Sequence, residues 1–387
     1  MHSLFSVNSR KIVSQTIRHI AVDGCKVLLT LAVIEGTIRT VAPQYIHNIF
    51  DQEFTGGHPI NVNEDGFRSE RLPIDKPEGE FRILALGDST TFGTGVSREA
   101  TWSSQLVDLL REQYPQTHQL NAGQPTRDLP TLNKGYLELW SRYDPNVVIL
   151  AVSNNMVSFG WINQDKEPSL PTNKYLPERA SSPFKRLTIQ IKRVYKNFAL
   201  VSWLSINSQR IFYILGLNNH QISPQEPFGP ILAFGWKQAD VDPELSGKAW
   251  VQFEHDLAIL RDSILEDKRK FIVVYMPSRF MVFDDIFDNE KFVPRQRIAI
   301  DPAQKLAEIC DELNIPYLSG VQPLQSGRQH IAKEEKQYDP MYILFDYMHL
   351  DPAGHQAIAH ALANQFTPLA PNNVSQSNTP DKSRKSL

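Results

Sequence analysis

The sequence predicts an α/β fold, a three-layer α/β/α sandwich around a central parallel sheet of about five strands. Three observations predict it. Short apolar runs recur along the chain, helical patterns separate them, and the runs are apolar at nearly every position rather than at every second one. Near-continuous apolar strands are covered on both faces, as in parallel sheets lying between two helix layers. In such sheets the chemistry gathers outside the carboxyl ends of the strands.

Strands are expected at Arg82–Leu86, His118–Asn121, Val147–Val152, Phe271–Met276 and Pro316–Leu318. Helices are expected at Thr101–Tyr114, Leu129–Tyr143, Ala249–Leu265, Ala303–Leu313 and Pro352–Phe366. The last begins after Asp351-Pro352, with Asp as the cap and Pro in the first turn. Between the third and fourth strands lies a segment of about 159–246 that is far too long for an ordinary connection and reads as an inserted cap. Its most regular part, Arg186–Leu215, places Leu187, Ile191, Val194, Phe198, Val201 and Leu204 at helical spacing. Arg186, Lys192, Arg193 and Lys196 lie among them, so the helix either packs its apolar stripe on the core or lies on an anionic membrane surface. Trp161, Trp203 and Trp236 are expected to form the insertion's own core, with a sugar- or acyl-binding surface as the alternative.

The chain has 387 residues and a net charge of −3, which carries no nucleic-acid signal. Two cysteines, Cys25 and Cys310, cannot form a disulfide framework, and Cys310 reads as a packed thiol. Residues 1–50 are read as a possible membrane anchor or membrane-lying helix, because the apolar run Val27–Ile34 follows Arg10, Lys11, Arg18 and Lys26. A true span needs about 20 mostly apolar residues, and any such window includes Glu35 together with other charges. Glu35 and Arg39 stand four apart, where a helix lets them neutralise each other. Residues 51–366 form the main domain. Its polar start carries Asn63-Glu64-Asp65-Gly66-Phe67-Arg68, whose Asp-Gly reads as a tight turn in a hairpin packed on that domain. Residues 367–387, rich in Ser, Asn and Pro, are expected to be disordered.

The chemistry is announced by Gly87-Asp88-Ser89-Thr90-Thr91-Phe92-Gly93, which delivers a serine into a turn at the end of the first strand. A serine hydroxyl needs a base before it attacks. His349 is the candidate, since an imidazole takes and returns a proton near neutral pH. Asp346, three residues earlier, is placed to accept the ring's Nδ1–H and to fix its tautomer. Asp88 reads as a turn-stabilising side chain, and His355 and His360 as packing or surface residues of the following helix. A metal set of Asp346, His349 and His355 matches no familiar ligand spacing. The acidic run 284–290 lacks the alternation and glycine of a calcium loop. No cofactor or metal is called for.

Four boxes in order resemble the SGNH (GDSL-type) serine hydrolases: Gly87-Asp88-Ser89-x-Thr91-x-Gly93, Gly123, Val152-x-Asn154-Asn155 and Asp346-x-x-His349. The resemblance spans about 81–366, with Val152 standing where the family has Gly and Asn155 where it has Asp. It implies an SGNH-like fold and a Ser89–His349–Asp346 triad. Its oxyanion hole would comprise the Ser89 and Gly123 N–H groups and the Asn154 amide, with a missing Cβ at Gly123 letting substrate approach the main chain. The Asn63–Arg68 segment and the N-terminus resemble a membrane-linked, polysaccharide-associated branch. That branch implies an esterase acting on a small acyl group, such as acetyl, on a carbohydrate. The alternatives are an O-acetyltransferase of a surface polysaccharide, a lipase or thioesterase, and a non-catalytic carbohydrate-binding module. Two placements stay open: a catalytic domain held outside the cytoplasm by residues 1–50, or a cytoplasmic one.

Overall fold

The computed structural model describes residues 2–41, 54–55, 58–165, 167–168, 198–201, 203–204, 238–283, 298–332, 341–343 and 348–366, without the side chains of 2–18, 20, 54, 238–239 and 330–332. Its first half runs α1 (His2–Val41), β1 (Phe54–Thr55), β2 (His58–Pro59), β3 (Phe81–Gly87), α2 (Ser89–Phe92), α3 (Trp102–Arg111), β4 (Thr117–Asn121), α4 (Leu129–Gly135), β5 (Val147–Ser153) and α5 (Asn154–Asn163). The second half runs α6 (Gln238–Val241), α7 (Pro243–Glu266), β6 (Lys270–Met276), α8 (Arg279–Val282), α9 (Pro302–Glu312), β7 (Tyr317–Ser319), α10 (Val321–Ala332) and α11 (Pro352–Phe366).

Strands β3 to β7 form one five-stranded sheet in the order β4-β3-β5-β6-β7. Every pairing is parallel, with Leu84 opposite both Leu120 and Val148, Leu150 opposite Val273, and Val274 opposite Leu318. The chain winds outward from β3 to β4, then crosses back to β5 and proceeds the other way. The reversal lies between β3 and β5, and such switch points are where open α/β sheets hold their ligands.

The unbroken apolar strands follow from burial on both faces. Leu84, Leu86, Val148, Leu150, Val273 and Tyr275 enter one core with α4, α7 and α9. Ile83, Ala85, Val147, Ile149, Ile272 and Val274 enter the other with α3, α10 and α11. Each such side chain contributes about 1.5–3 kcal/mol relative to exposure. The result is the three-layer α/β/α sandwich that the sequence predicts. Cys310 is buried, and burial pushes its thiol up to about 12, as an inert packed residue requires.

The helix expected over Leu129–Tyr143 is broken. α4 ends at Gly135, a π turn covers Tyr136–Trp140, and a 3₁₀ turn follows at Ser141–Tyr143. Tyr136, Trp140 and Tyr143 are all buried, and the wide turn aims these large rings into one core. The Tyr136 hydroxyl donates to Asp267 Oδ2 at 2.7 Å.

α1 exposes Val27, Leu28, Leu29 and Val33. Among the described residues no helix is long and apolar enough to cross a membrane. Asp23 pairs with Lys26 at 3.0 Å and Glu35 with Arg39 at 2.7 Å. Glu35 also accepts the N–H groups of Ala199 and Leu200 at 2.8 and 2.9 Å, tying α1 to the inserted segment. Most of the helical pattern over 186–215, Trp236, the acidic run 284–290 and the tail 367–387 lie outside the described residues.

Candidate active site

Ser89 follows β3 directly and opens α2, a single helical turn. Asp88 caps that turn: its Oδ1 accepts from the Thr90 N–H at 2.9 Å and the Thr90 hydroxyl at 2.8 Å. Its other oxygen accepts from the Ser153 hydroxyl at the end of β5, so the Ser89 turn is tied to the neighbouring strand. The turn closes at Gly93, whose φ of 81° belongs to the left-handed region that a side chain disfavours. The N–H groups of Gly93 and Thr94 both donate to the Ser89 carbonyl, at 3.1 and 3.0 Å. At the first helical position the Ser89 N–H has no acceptor within the helix.

His349 comes from the far end of the chain, 260 residues away, and its Nε2 lies 2.9 Å from Ser89 Oγ. A bridge between Tyr342 and Leu350 holds it in place, together with the Ile343 N–H donating to the His349 carbonyl at 3.0 Å. Asp351 then caps α11, its Oδ1 accepting from the Gly354 N–H at 2.9 Å. The ring is only 7% exposed. Asp346, the expected orienting carboxylate, lies outside the described residues.

Asn154 opens α5 beyond β5 and is buried. Its Oδ1 accepts from the Tyr275 hydroxyl at 2.6 Å, which fixes the way its amide faces. Asn155 turns elsewhere. Its Nδ2 donates to Met348 Sδ at 3.1 Å, while its Oδ1 is buried without a hydrogen-bond partner among the described residues.

Gly123 stands next to the Ser89 turn, and its missing side chain serves a different purpose than expected. A Cβ there would lie 2.3 Å from the Phe92 nitrogen and 2.6 Å from the Thr91 carbonyl carbon. The missing side chain therefore makes room for α2 rather than for substrate. The Gly123 N–H donates to Asn121 Oδ1 at 3.0 Å, and Asn121 Nδ2 in turn donates to the Thr91 carbonyl at 2.9 Å. As an oxyanion donor, Gly123 would have to share or release this bond.

His355 is buried, and its Nδ1 accepts from the Trp102 N–H at 3.2 Å. Burial, then the positive charge of Arg68, then His349 push its pKa down to about 3, so it stays neutral and belongs to packing. His360 is exposed. Among the described residues no three His, Cys, Asp or Glu side chains gather as a metal site. A cavity of about 750 Å³ is lined by Phe81, Tyr114, Gln116, Asn146 and Phe366 at the opposite end of the strands. It has no part in this chemistry. A separate polar cavity of about 300 Å³, lined by Thr126, Arg127, Asp128, Asn163, Gln252 and Asp256, includes none of Ser89, Gly123, Asn154 and His349 in its lining.

The structure thus brings Ser89 and His349 into contact. It sets Gly123 on the loop after β4 and Asn154 at the start of α5, beyond the two strands that flank β3, and it adds the contacts of Ser153, Tyr275 and Asn121. Tyr275 had a signal: a hydroxyl in an otherwise aliphatic buried strand needs a partner. A serine oxygen within hydrogen-bond reach of an imidazole can lose its proton as it attacks a carbonyl.

No family model and no curated protein matches the chain. Solved structures similar to it include an acetyl xylan esterase at 14% identity and a TM-score of 0.39, covering 74% of this chain and 99% of that one. Another is a putative lipolytic protein of the G-D-S-L family from Desulfitobacterium hafniense, at 11% identity and a TM-score of 0.37, covering 74% and 99%. An acetylxylan esterase from Geobacillus stearothermophilus matches at 15% identity and a TM-score of 0.36, covering 74% and 93%. At such distances these likenesses transfer neither substrate nor mechanism to this chain.

Proposed function

We propose that the chain is a serine esterase that cleaves an O-acyl ester through an acyl-enzyme. The observation that carries this reading is the 2.9 Å contact between Ser89 Oγ and His349 Nε2 at the carboxyl end of a parallel sheet. Ser89 Oγ attacks the ester carbonyl while His349 Nε2 takes its proton. The imidazolium then returns the proton to the departing alcohol, and water repeats the sequence to release the acid. Asp346 is assigned to hold the imidazole and stabilise its charged form. The developing oxyanion is assigned to the Ser89 N–H, the Asn154 Nδ2 group and, once it turns from Asn121, the Gly123 N–H. Removing one such donor typically costs about 2.7–4 kcal/mol of barrier.

The substrate class we favour is an acetyl ester on a carbohydrate. What supports this preference is the resemblance of the Asn63–Arg68 segment to a polysaccharide-associated branch of the SGNH hydrolases. The exposed apolar residues of α1 support attachment of the chain to a membrane surface. The test uses the full-length protein with acetyl and long-chain p-nitrophenyl esters and with acetylated xylo-oligosaccharides, with and without a sugar acceptor. A serine-directed fluorophosphonate should label Ser89, and Ser89→Ala should lose both labelling and hydrolysis while keeping its fold. Undiminished esterase activity in Ser89→Ala would sink the mechanism, and transfer to the sugar without release of acetate would make the enzyme an acyltransferase.

A further inference from the structure

Arg68 is fully buried, at 0% exposure, in the Asn63–Arg68 turn that precedes the sheet. Asn63 Oδ1 holds that turn by accepting from the Asp65 and Phe67 N–H groups at 3.1 and 3.0 Å. Phe67 then packs edge-on against Tyr143 at 5.1 Å, and the Arg68 N–H donates to the Asn121 carbonyl at 2.9 Å. These bonds leave the guanidinium pointing at the nucleophile turn. Nη1 donates to the carbonyls of Phe92 and Gly93 at 2.6 and 2.7 Å, and Nη2 to that of Val96 at 2.7 Å. The guanidinium carbon also lies 4.7 Å from the Phe92 ring centroid. From the adjoining ribbon, the buried Thr55 hydroxyl accepts the Gly95 N–H at 2.6 Å.

The carbonyls that Arg68 binds end the turn that Ser89 begins. A one-turn helix has almost no cooperative stability of its own, so its geometry must come from outside. Asp88 and Ser153 supply it at the amino end. At the carboxyl end the orphan carbonyls need donors, and a cation there also complements the helix dipole. A planar guanidinium reaches three carbonyls from one rigid fork, which an ammonium on a flexible stem cannot do. The Gly93 and Thr94 N–H groups, which hold the Ser89 carbonyl, belong to the same clamped segment.

We propose that Arg68 is a positioning residue for the nucleophile. Its buried guanidinium clamps the Phe92, Gly93 and Val96 carbonyls and thereby sets the direction of Ser89 Oγ and of the Ser89 N–H. The catalytic consequence rests on the assignment of Ser89 as nucleophile, whereas the clamp itself does not.

The test compares full-length wild type with Arg68→Lys and Arg68→Ala. Activity on p-nitrophenyl acetate is expressed per site titrated with fluorophosphonate, so that unfolded protein does not count. The expected result for Arg68→Lys is a kcat lower by roughly 10- to 100-fold, the scale of a misplacement near 1 Å, with KM within about twofold of wild type. Guanidinium ion at sub-denaturing concentration should restore part of the activity of Arg68→Ala, which a purely stabilising role would not predict. Amide hydrogen exchange reads the clamp without reference to catalysis. In wild type the Gly93 and Thr94 amides should exchange as slowly as those of β3, and in Arg68→Lys they should be the amides that accelerate most. Full kcat in Arg68→Lys overturns the proposal. So does fast exchange at Gly93 and Thr94 in wild type, a measurement that stands even where the variants fail to fold. Full hydrolysis by Ser89→Ala would instead overturn the nucleophile assignment and leave the clamp standing on its exchange data.

Discussion

The hydroxyl of Tyr275, on β6, donates to Asn154 Oδ1 at 2.6 Å across the carboxyl edge of the sheet. Tyr275 is wholly buried, and burial pushes its phenol well above the ordinary value, so it remains a donor at any working pH. The bond engages the oxygen end of the Asn154 amide and leaves Nδ2 for the oxyanion role proposed above.

Tyr275→Phe should therefore damage rate more than fold. Losing the donor leaves a buried oxygen unsatisfied, at a cost of about 1–3 kcal/mol. It also frees the amide to rotate. We expect kcat to fall by roughly 10- to 100-fold, short of deleting an oxyanion donor outright. Steady-state kinetics beside a urea midpoint check it; wild-type kcat would remove Asn154 from the oxyanion set.

Gly123→Ala should push against α2, because the new Cβ would meet the Phe92 nitrogen at 2.3 Å and the Thr91 carbonyl carbon at 2.6 Å. The atoms in the way are backbone and have little room to yield. Overpacking of this kind costs about 1–3 kcal/mol. Because the displaced segment carries Ser89, fluorophosphonate labelling should slow further than the fall in melting temperature explains. Normal labelling would show that the turn adapts.

His355 makes stability depend on pH. The unfolded chain binds a proton near pH 6.5, while the folded one resists protonation down to about 3 because burial, Arg68 and His349 all oppose the charge. The unfolded state thus holds the extra proton between those values. Its stabilising effect is complete above about 6.5 and is lost as pH falls toward 3, with a slope of about 1.4 kcal/mol per pH unit. His355→Gln keeps an acceptor for the Trp102 N–H and removes this slope. Urea midpoints of both proteins from pH 7 to 4 check it: parallel curves would contradict a buried neutral histidine.

At the other end of β3, Arg82 is fully buried and pairs with Glu80 through two bonds of 3.0 and 3.1 Å, with a third bond of 2.8 Å to the Tyr143 carbonyl. Glu80→Ala strands that cation. It should cost about 3–5 kcal/mol and leave kcat of the folded fraction unchanged, because the pair lies at the opposite end of the strand from Ser89. Chemical denaturation and active-site titration together check both halves.

The strands were legible because burial on both faces writes itself as unbroken apolar runs, and observed strands fall within a residue or two of those expected. Of the longer helices, two were not. α5 begins Asn154-Asn155 and carries Gly160, and α10 carries Pro323 and Gly327, so neither shows a clean apolar stripe. The break after Gly135 was hidden too, since its aromatic spacing also fits an unbroken helix. Within the site, Ser89 and His349 could be read from their motifs and meet as expected. Tyr275 with Asn154, and Arg68 with the carbonyls of Phe92 and Val96, depend on contacts between distant segments that no local pattern encodes. Arg68 stands in a polar, turn-rich stretch, and nothing local announces that carbonyls and a ring replace its water.

On the proposed mechanism, the separation of 260 positions between Ser89 and His349 sets a schedule for activity. Translation proceeds at about 5–20 residues per second, so roughly 13–50 s separate the making of the serine from that of its base. Through that interval the ribosome carries a hydroxyl with no partner to draw off its proton. On that mechanism the serine gains its base only once the segment that carries His349, just before α11, is in place, with α11 packed on α3.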